Sequence, residues 1–133
     1  MKYLFDTDIL IYWLKGNQAI ERKAVATGLE NIDYSIISLA ELYFCAYNSE
    51  QIEKTLQAIK IVQQKLSLVN FNDKSAQLFG MIKAQLTQQG NLIMDADILI
   101  GSIAQANELI LVTNNTKHFQ RIPNLPLENW LND

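Results

Sequence analysis

Short apolar runs alternate along this chain with longer segments in which hydrophobic residues recur every three or four positions. The apolar runs predict strands at residues 2–6, 34–38, 66–71 and 108–115, with a short edge strand inside 125–130. The periodic segments predict helices at residues 7–17, 20–30, 39–48, 50–65, 73–90 and 95–107. Strands that alternate with helices in this way form parallel sheets covered on both faces. The pattern therefore predicts an α/β fold, a three-layer α/β/α sandwich with a central parallel sheet of four to five strands.

The composition fits a single globular domain over residues 1–133, because 49% of the residues are hydrophobic and only five are Gly and two Pro. The apolar run at the N-terminus is interrupted by Asp6 and Asp8, and no small-residue cleavage site follows it. No run of about 18 uncharged apolar residues is present. The single cysteine, Cys45, excludes an internal disulfide and a cysteine-rich zinc site. We therefore expect a cytoplasmic protein that does not enter a membrane.

The net charge of -3 and the pI near 5.1 are unusual for a protein that binds nucleic acid, because Lys and Arg normally supply most of the affinity for phosphate. Four of the acids are candidates for one metal pocket: Asp6, Glu41, Asp95 and Asp97. If their carboxylates surround a cation, the rest of the chain carries a net charge of +1. The acidic balance therefore does not exclude a nucleic-acid substrate.

Two of these acids occupy positions where a carboxylate needs an explanation. Asp6 ends the first strand, where it either caps the next helix or lies at the sheet edge that binds ligands in parallel α/β folds. Capping is the simpler interpretation of Asp6 alone. Glu41 shares a helical face with Ile37, Phe44 and Cys45. A carboxylate on such an apolar face is costly unless a cation or hydrogen-bond donors compensate, so a functional role for Glu41 is as well supported as a structural one.

The other two acids begin the helix predicted at 95–107. Negative charge is favourable in the first turn, which explains one of them. Asp97 lies on a face of small and apolar residues that includes Gly101 and Ala104, which suggests room for a ligand. Together the acids mark the ends of three different elements, and oxygen ligands of this kind suit Mg²⁺ or Mn²⁺. His118, the one histidine, is interpreted as a surface loop residue, with substrate contact as the alternative.

Four segments in this order resemble the motifs of PIN domains, and specifically of the VapC-type toxins of bacterial toxin-antitoxin pairs. They are FDTDILIYWLKG, SIISLAELYFCAYNS, GNLIMDADILIGSIAQA and LILVTNNTKHFQRIPNLPLENW. The family pattern is Asp-Thr-Asn or Asp-Thr-Asp, an Ala-Glu-Leu helix, Asp before Leu-Leu-Ile-Ala-Ala, and Thr-x-Asn or Thr-x-Asp. The resemblance spans nearly the whole chain and implies a PIN-like sandwich.

Carried over by position, the resemblance implies that Asp6, Glu41 and Asp97 are catalytic acids that bind metal. Thr113 and Asn115 occupy the place of the fourth polar element. Many PIN domains have Asp where this chain has Asn115, which leaves open whether one or two metals bind. Asp95 is an extra acid that either contacts metal or only starts the helix.

Members of this family cleave RNA, usually structured RNA such as tRNA, with Mg²⁺ or Mn²⁺. They commonly form homodimers and are inhibited by a cognate antitoxin. By this resemblance the three acids hold a cation that polarises the scissile phosphate and lowers the pKa of an attacking water. Further candidates could position water or substrate, although each also has a capping or surface interpretation: Thr7, Ser38, Thr113, Lys83, Lys117 and Arg121.

Two other classes remain open at this point. A haloacid-dehalogenase-like phosphatase would use Asp6 and Asp8 as nucleophile and acid, but it needs an acidic metal motif after the Thr113 strand, and none follows. A non-catalytic binding module would use the acids only as helix caps, which leaves Glu41 unexplained. Thermal stabilisation by Mg²⁺ or Mn²⁺ distinguishes a metal nuclease from such a module.

Overall fold

In a computed structural model, which describes residues 1–131, the chain forms five parallel strands and seven α-helices. The strands are β1 (Tyr3–Phe5), β2 (Ile32–Ser35), β3 (Ser67–Val69), β4 (Ile110–Val112) and β5 (Leu127–Glu128). The helices are α1 (Thr7–Leu14), α2 (Gln18–Thr27), α3 (Ile36–Tyr47), α4 (Ile52–Lys65), α5 (Asp73–Gln88), α6 (Asp95–Ala106) and α7 (Thr116–Phe119), with a 3-10 turn at Leu29–Asn31. The last two residues of the predicted domain lie outside the described residues.

The sheet has the strand order β3-β2-β1-β4-β5, and each neighbouring pair is parallel. Phe5 at the end of β1 pairs in register with Tyr34 on one side and Val112 on the other. The carboxyl ends of the three central strands are therefore level, and the residues that follow them meet at one edge. The predicted α/β class and the parallel sheet of four to five strands are confirmed.

Two apolar cores lie on opposite faces of this sheet. Phe5 belongs to a core that contains residues of α1, α2, α3 and α4 together with Trp130. Leu4, which points the other way because side chains alternate along a strand, belongs to a core formed with α5 and α6. Burial on both faces produces the three-layer sandwich. No helix within residues 1–131 combines the length and apolar character needed to cross a membrane.

The structure corrects the predicted boundary between the second strand and the helix after it. The sequence predicted a strand at 34–38, whereas β2 ends at Ser35 and α3 begins at Ile36. Ser35 is the N-cap of α3, since its hydroxyl accepts a hydrogen bond from the backbone N–H of Ser38 at 3.0 Å. The sequence did not indicate this cap, because Ile36 and Ile37, which follow Ser35, are β-branched and favour a strand. The short helix α7 was also not predicted, so Lys117 and His118 lie on a helical turn rather than in a loop.

Candidate active site

Asp6 lies directly after β1 and is 6% exposed. One carboxylate oxygen, Oδ1, accepts a hydrogen bond from the backbone N–H of Thr7 at 2.8 Å, and Asp6 is the N-cap of α1. The other oxygen, Oδ2, accepts a hydrogen bond from the hydroxyl of Thr113 at 2.7 Å. Asp6 is thus both a cap and a member of a polar cluster that joins β1 to the end of β4. Asp6 can therefore cap α1 and also lie at the edge of the sheet where ligands bind.

The electrostatic environment of Asp6 opposes its negative charge. Burial raises its pKa to about 8, and the charges of Asp8 and then Asp97 act in the same direction, against the hydrogen bonds from Thr113 and Thr7. Burial also raises the pKa of Asp97; the charge of His118 opposes this increase, and the charges of Glu41 and Asp8 add to it. Each of these carboxylates is therefore within electrostatic range of others of the same sign. A cation placed among them would relieve the repulsion.

Glu41 is half-buried on α3 and is held by a residue of α1. The hydroxyl of Thr7 donates to Glu41 Oε1 at 2.5 Å and also contacts the hydroxyl of Ser38 at 2.8 Å. Thr7 and Ser38, both predicted to position water or substrate, are therefore in contact with each other. Thr7 also binds Glu41, a predicted catalytic acid. The helical face that Glu41 shares is apolar as predicted, but it is only partly covered, because Phe44 is 69% exposed and Cys45 is also exposed. Only Ile37 of that face packs against a core.

Asp97 lies in the first turn of α6 and faces the loop after β4. Its Oδ2 is 3.6 Å from Nδ1 of His118, and the same ring nitrogen is 2.8 Å from Nδ2 of Asn115. The backbone N–H of Asn115 donates to the Thr113 hydroxyl at 2.9 Å, which links this group back to Asp6. His118, interpreted from the sequence as a surface residue, is therefore part of the site.

Asp95 is oriented differently from Asp97. It forms an exposed ion pair with Lys83 of α5, with 3.0 Å between Lys83 Nζ and Asp95 Oδ1. Of the other predicted cationic residues, Lys117 is exposed on α7, and Arg121 donates to the backbone oxygen of Leu92 at 3.3 Å. The predicted space beside Asp97 is also filled, because a Cβ atom at Gly101 would be only 2.6 Å from Ile122 Cδ1. Small residues on this part of α6 therefore serve close packing rather than ligand binding.

Sequence reasoning missed Asp8 as a site residue. Its Oδ2 accepts a hydrogen bond from the backbone N–H of Asn114 at 3.2 Å, whereas its buried Oδ1 has no hydrogen-bond partner within residues 1–131. Burial raises its pKa, against hydrogen bonds with the Asp6 side chain and the Asn114 backbone. The signal in the sequence was the Asp-Thr-Asp spacing, which was read as a family motif and as a possible phosphatase pair, but only Asp6 of it was assigned to the metal site. Asp8 lies on the first turn of α1, beside Asp6 and across from the loop after β4.

The residues at this edge fit a hard divalent cation in their chemistry. The charges of neighbouring carboxylates raise the pKa of Asp6 and of Asp97 there, and one buried carboxylate oxygen of Asp8 is unpaired within the described chain. Within residues 1–131, no three His, Cys, Asp or Glu side chains are already grouped so as to hold a metal ion by themselves. Water and substrate oxygens would therefore complete the coordination, as is usual for Mg²⁺.

Comparisons with known proteins show which family the chain is similar to. The PIN domain model matches residues 3–125. Ribonuclease VapC2 of Haemophilus influenzae is 37% identical over 131 residues, which cover 98% of this chain and 99% of the relative. The tRNA(fMet)-specific endonuclease VapC of Shigella flexneri is 30% identical over 130 residues, 98% of each chain. A crystal structure of VapBC2 from Rickettsia felis, bound to a DNA fragment from its promoter, superposes with a TM-score of 0.92 at 36% identity, covering 98% of this chain and 99% of the other.

The fold and the match over most of the chain define the class of protein: this chain belongs to the PIN-domain family. Its relatives within that family are VapC proteins, so the resemblance to VapC-type toxins is confirmed. Family membership also rules out the haloacid-dehalogenase-like phosphatase considered from the Asp6 and Asp8 spacing.

Proposed function

We propose that this protein is a metal-dependent endoribonuclease, the toxin component of a toxin-antitoxin pair, which hydrolyses RNA phosphodiester bonds with Mg²⁺ or Mn²⁺. The observation that carries the proposal is the gathering of Asp6, Asp8, Glu41 and Asp97 at one edge of the sheet, where the charges of neighbouring carboxylates raise the pKa of Asp6 and of Asp97. Such an arrangement costs stability unless it serves to bind a cation. The names of the VapC relatives as ribonucleases supply the reaction class.

The catalytic acids in this proposal are Asp6, Glu41 and Asp97, with Asp8 beside them. When bound, the cation would polarise the scissile phosphate and favour deprotonation of the attacking water. The Thr113 hydroxyl holds Asp6 Oδ2 in a fixed direction and favours its ionised form. The Thr7 hydroxyl does the same for the position of Glu41. Because donors on α1 and in the loop after β4 hold these two carboxylates, little reorganisation is needed when substrate binds.

We assign RNA binding to positively charged side chains around this edge of the sheet. Lys117 is exposed and adjacent in sequence to His118, and Arg121 follows the same short helix. Lys83 lies beside the start of α6 through its ion pair with Asp95. Because Asp95 is exposed and paired with this lysine, we assign it to helix initiation and to holding Lys83 rather than to the metal. One relative is named a tRNA(fMet)-specific endonuclease, so tRNA or another structured RNA is the proposed substrate.

The antitoxin partner is proposed from the relatives whose structures are VapBC complexes. A groove of about 590 Å³ between α1, α3 and α4 suits an apolar segment of such a partner. Its lining includes Ile11, Leu14, Leu42 and Ala58, with Lys15 and Lys54 also present to attract acidic residues. We also propose a homodimer, as the family resemblance implies, and a cytoplasmic location, as expected from the sequence.

The experiment that tests this function is induction of the chain in bacteria, followed by sequencing of newly formed RNA 5' ends. The wild-type chain should arrest growth and produce a small set of new ends, and co-expression of the antitoxin should suppress both. The Asp6→Asn chain at equal abundance is the control, and it should produce neither effect. Identical RNA ends in the wild-type and Asp6→Asn cultures would contradict the proposal. Harmless accumulation of the wild-type chain would contradict the toxin role.

A further inference from the structure

The one histidine of the chain is directed at the acidic cluster. His118 is on α7, which follows the loop after β4, and its Nδ1 is 3.6 Å from Asp97 Oδ2. This distance is too long for a hydrogen bond between the two atoms. The hydrogen-bond neighbour of Nδ1 is the side-chain amide of Asn115 at 2.8 Å. The imidazole is therefore held in place by Asn115 and faces a carboxylate that it does not reach.

The separation of these two atoms suits two ligands of one cation. Ligand atoms about 2.1 Å from a divalent ion and 3.6 Å apart subtend an angle of about 120° at the ion. A side-chain shift of about half an ångström brings the angle to the 90° of neighbouring octahedral ligands. An amide N–H that donates to Nδ1 also requires the ring tautomer in which Nδ1 has a lone pair. A metal ligand needs the same lone pair, so a cation that binds Nδ1 would displace the amide of Asn115 from it.

We propose that His118 is a nitrogen ligand of the cation that Asp97 binds, so that the site has mixed oxygen and nitrogen donors. This inference rests on the proposed metal-dependent function. Asn115 orients the ring only in the metal-free chain, because its amide and the cation would compete for the same lone pair. Asn115, at the place of the fourth polar element, is not an acid. In this proposal His118, on the helical turn α7 that follows, supplies a metal ligand instead.

A nitrogen ligand changes which cation the site prefers. Mg²⁺ strongly favours oxygen ligands, whereas first-row transition ions accept imidazole. The site should therefore bind Mn²⁺ more tightly than Mg²⁺, and this preference should depend on His118. The competing explanation is that His118 is only an ion-pair partner of Asp97 and occupies the place of the cation. If His118 is a ligand, removing the ring should weaken Mn²⁺ binding. If His118 is only an ion-pair partner, removing the ring should leave Mn²⁺ binding unchanged or make it tighter.

The test is Mn²⁺ binding by the metal-free protein without RNA, followed by electron paramagnetic resonance, with Mg²⁺ affinity measured by competition. His118→Ala should weaken Mn²⁺ binding about tenfold or more and change Mg²⁺ binding much less. The nitrogen hyperfine coupling of the bound Mn²⁺ should disappear in His118→Ala. His118→Glu, which offers oxygen instead, should reduce the preference for Mn²⁺ over Mg²⁺. Gln120→Ala, two positions away and exposed, is the matched control and should resemble the wild type.

The outcomes separate this inference from the proposed function. Unchanged or tighter Mn²⁺ binding by His118→Ala, or a wild-type spectrum without nitrogen coupling, overturns the role of His118 and leaves a metal nuclease intact. A wild-type chain that binds neither cation overturns the metal-dependent function as well. Circular dichroism of each variant verifies its fold, and His118 is 44% exposed at its side chain, so its replacement should not unfold the protein.

Discussion

The hydroxyl of Thr113 donates a hydrogen bond of 2.7 Å to Oδ2 of Asp6, although 107 positions separate the two residues. The contact exists because β1 and β4 are neighbours in the sheet and end at the same level, with Phe5 opposite Val112. Each residue immediately follows its strand, so a single register brings them together. The pairing of β1 with β4 therefore brings Asp6, near the start of the chain, and Thr113, near its end, into one polar cluster.

Thr113→Val should reduce RNA cleavage about tenfold to a hundredfold, because loss of a hydrogen bond that orients a metal ligand commonly has an effect of this size. The valine keeps the shape of the side chain but removes the donor that favours the ionised form of Asp6. Initial cleavage rates over a range of Mg²⁺ concentrations are the measurement. Thr113→Ser retains the hydroxyl and should stay near wild type. Equal rates for the valine and serine variants would show that the hydrogen bond has no role.

Asp6→Asn should make the metal-free protein more stable at pH 8 while abolishing cleavage. The pKa of Asp6 is about 8 in the folded chain and about 3.9 in an unfolded chain, so the folded state binds more protons between these values. Stability of the wild type therefore falls as pH rises through that window, and Asn removes this loss. Urea unfolding with a chelator present should give a gain of at least about 1.4 kcal/mol at pH 8, the equivalent of one pKa unit. The gain should vanish near pH 4.

That prediction fails if Asp6→Asn is less stable than the wild type at pH 8. Asn is as good an N-cap as Asp, so loss of the α1 cap does not obscure the result. Addition of Mn²⁺ should reverse the order of stability, because only the wild type binds the cation well.

Asp33→Asn should stabilise the protein at neutral pH without changing cleavage. Asp33 is buried in β2, and its Oδ1 has no hydrogen-bond partner within residues 1–131, with Lys2 Nζ at 3.6 Å. Burial raises its pKa, although the charge of Lys2 opposes the increase. Since the folded state then favours the protonated acid, stability falls as pH rises above the pKa of the unfolded chain. We expect a gain of about 0.5–1 kcal/mol at pH 7 that disappears near pH 4.

Urea unfolding of Asp33→Asn at both pH values is the measurement, and Glu50→Gln is the control. Glu50 is an exposed acid between helices, so the same change of charge there should be neutral. A loss of stability in Asp33→Asn at pH 7 would mean that the ion pair with Lys2 outweighs the cost of burial.

Ala58→Lys should prevent inhibition by the antitoxin while leaving cleavage intact. Ala58 lines the groove between α1, α3 and α4, so a lysine there fills apolar space and adds a charge. Gln57→Lys adds the same charge at an exposed neighbouring position on α4 and should leave inhibition unchanged. Co-purification of each variant with the antitoxin, together with RNA cleavage by the free chain, gives the comparison. Normal capture of Ala58→Lys would place the antitoxin elsewhere.

Much of the fold was predictable because each buried strand is a short apolar run and each helix has its own periodicity. The boundary at Ser35 was not, since one serine hydroxyl ends β2 by capping α3 inside a run that otherwise favours a strand. Local propensity cannot show that a side-chain hydrogen bond replaces a strand pairing. The helix α7 was missed for a related reason, because its four residues are too few to show periodicity.

The candidate site was predictable only as far as its residues follow strands or begin helices. The three acids proposed from the order of the motifs lie at one edge of the sheet. The sequence did not assign Asp8 or His118 to the same metal site. Their positions depend on contacts across the sequence: Asp8 with the backbone of Asn114, and His118 with Asp97. The exposure of Phe44 and Cys45 also required the structure, because periodicity defines a helical face without indicating what covers it.

The most direct test of the account is cleavage of a structured RNA by the purified chain with chelator, Mg²⁺ or Mn²⁺, compared with Asp97→Asn. Asn is nearly isosteric with Asp and keeps the first turn of α6, but it removes one charge from the acidic cluster. The account predicts cleavage that requires added cation and is lost in Asp97→Asn, with circular dichroism unchanged. Cleavage that persists in chelator, or an Asp97→Asn chain as active as the wild type, would contradict the claim that these carboxylates hold a catalytic cation.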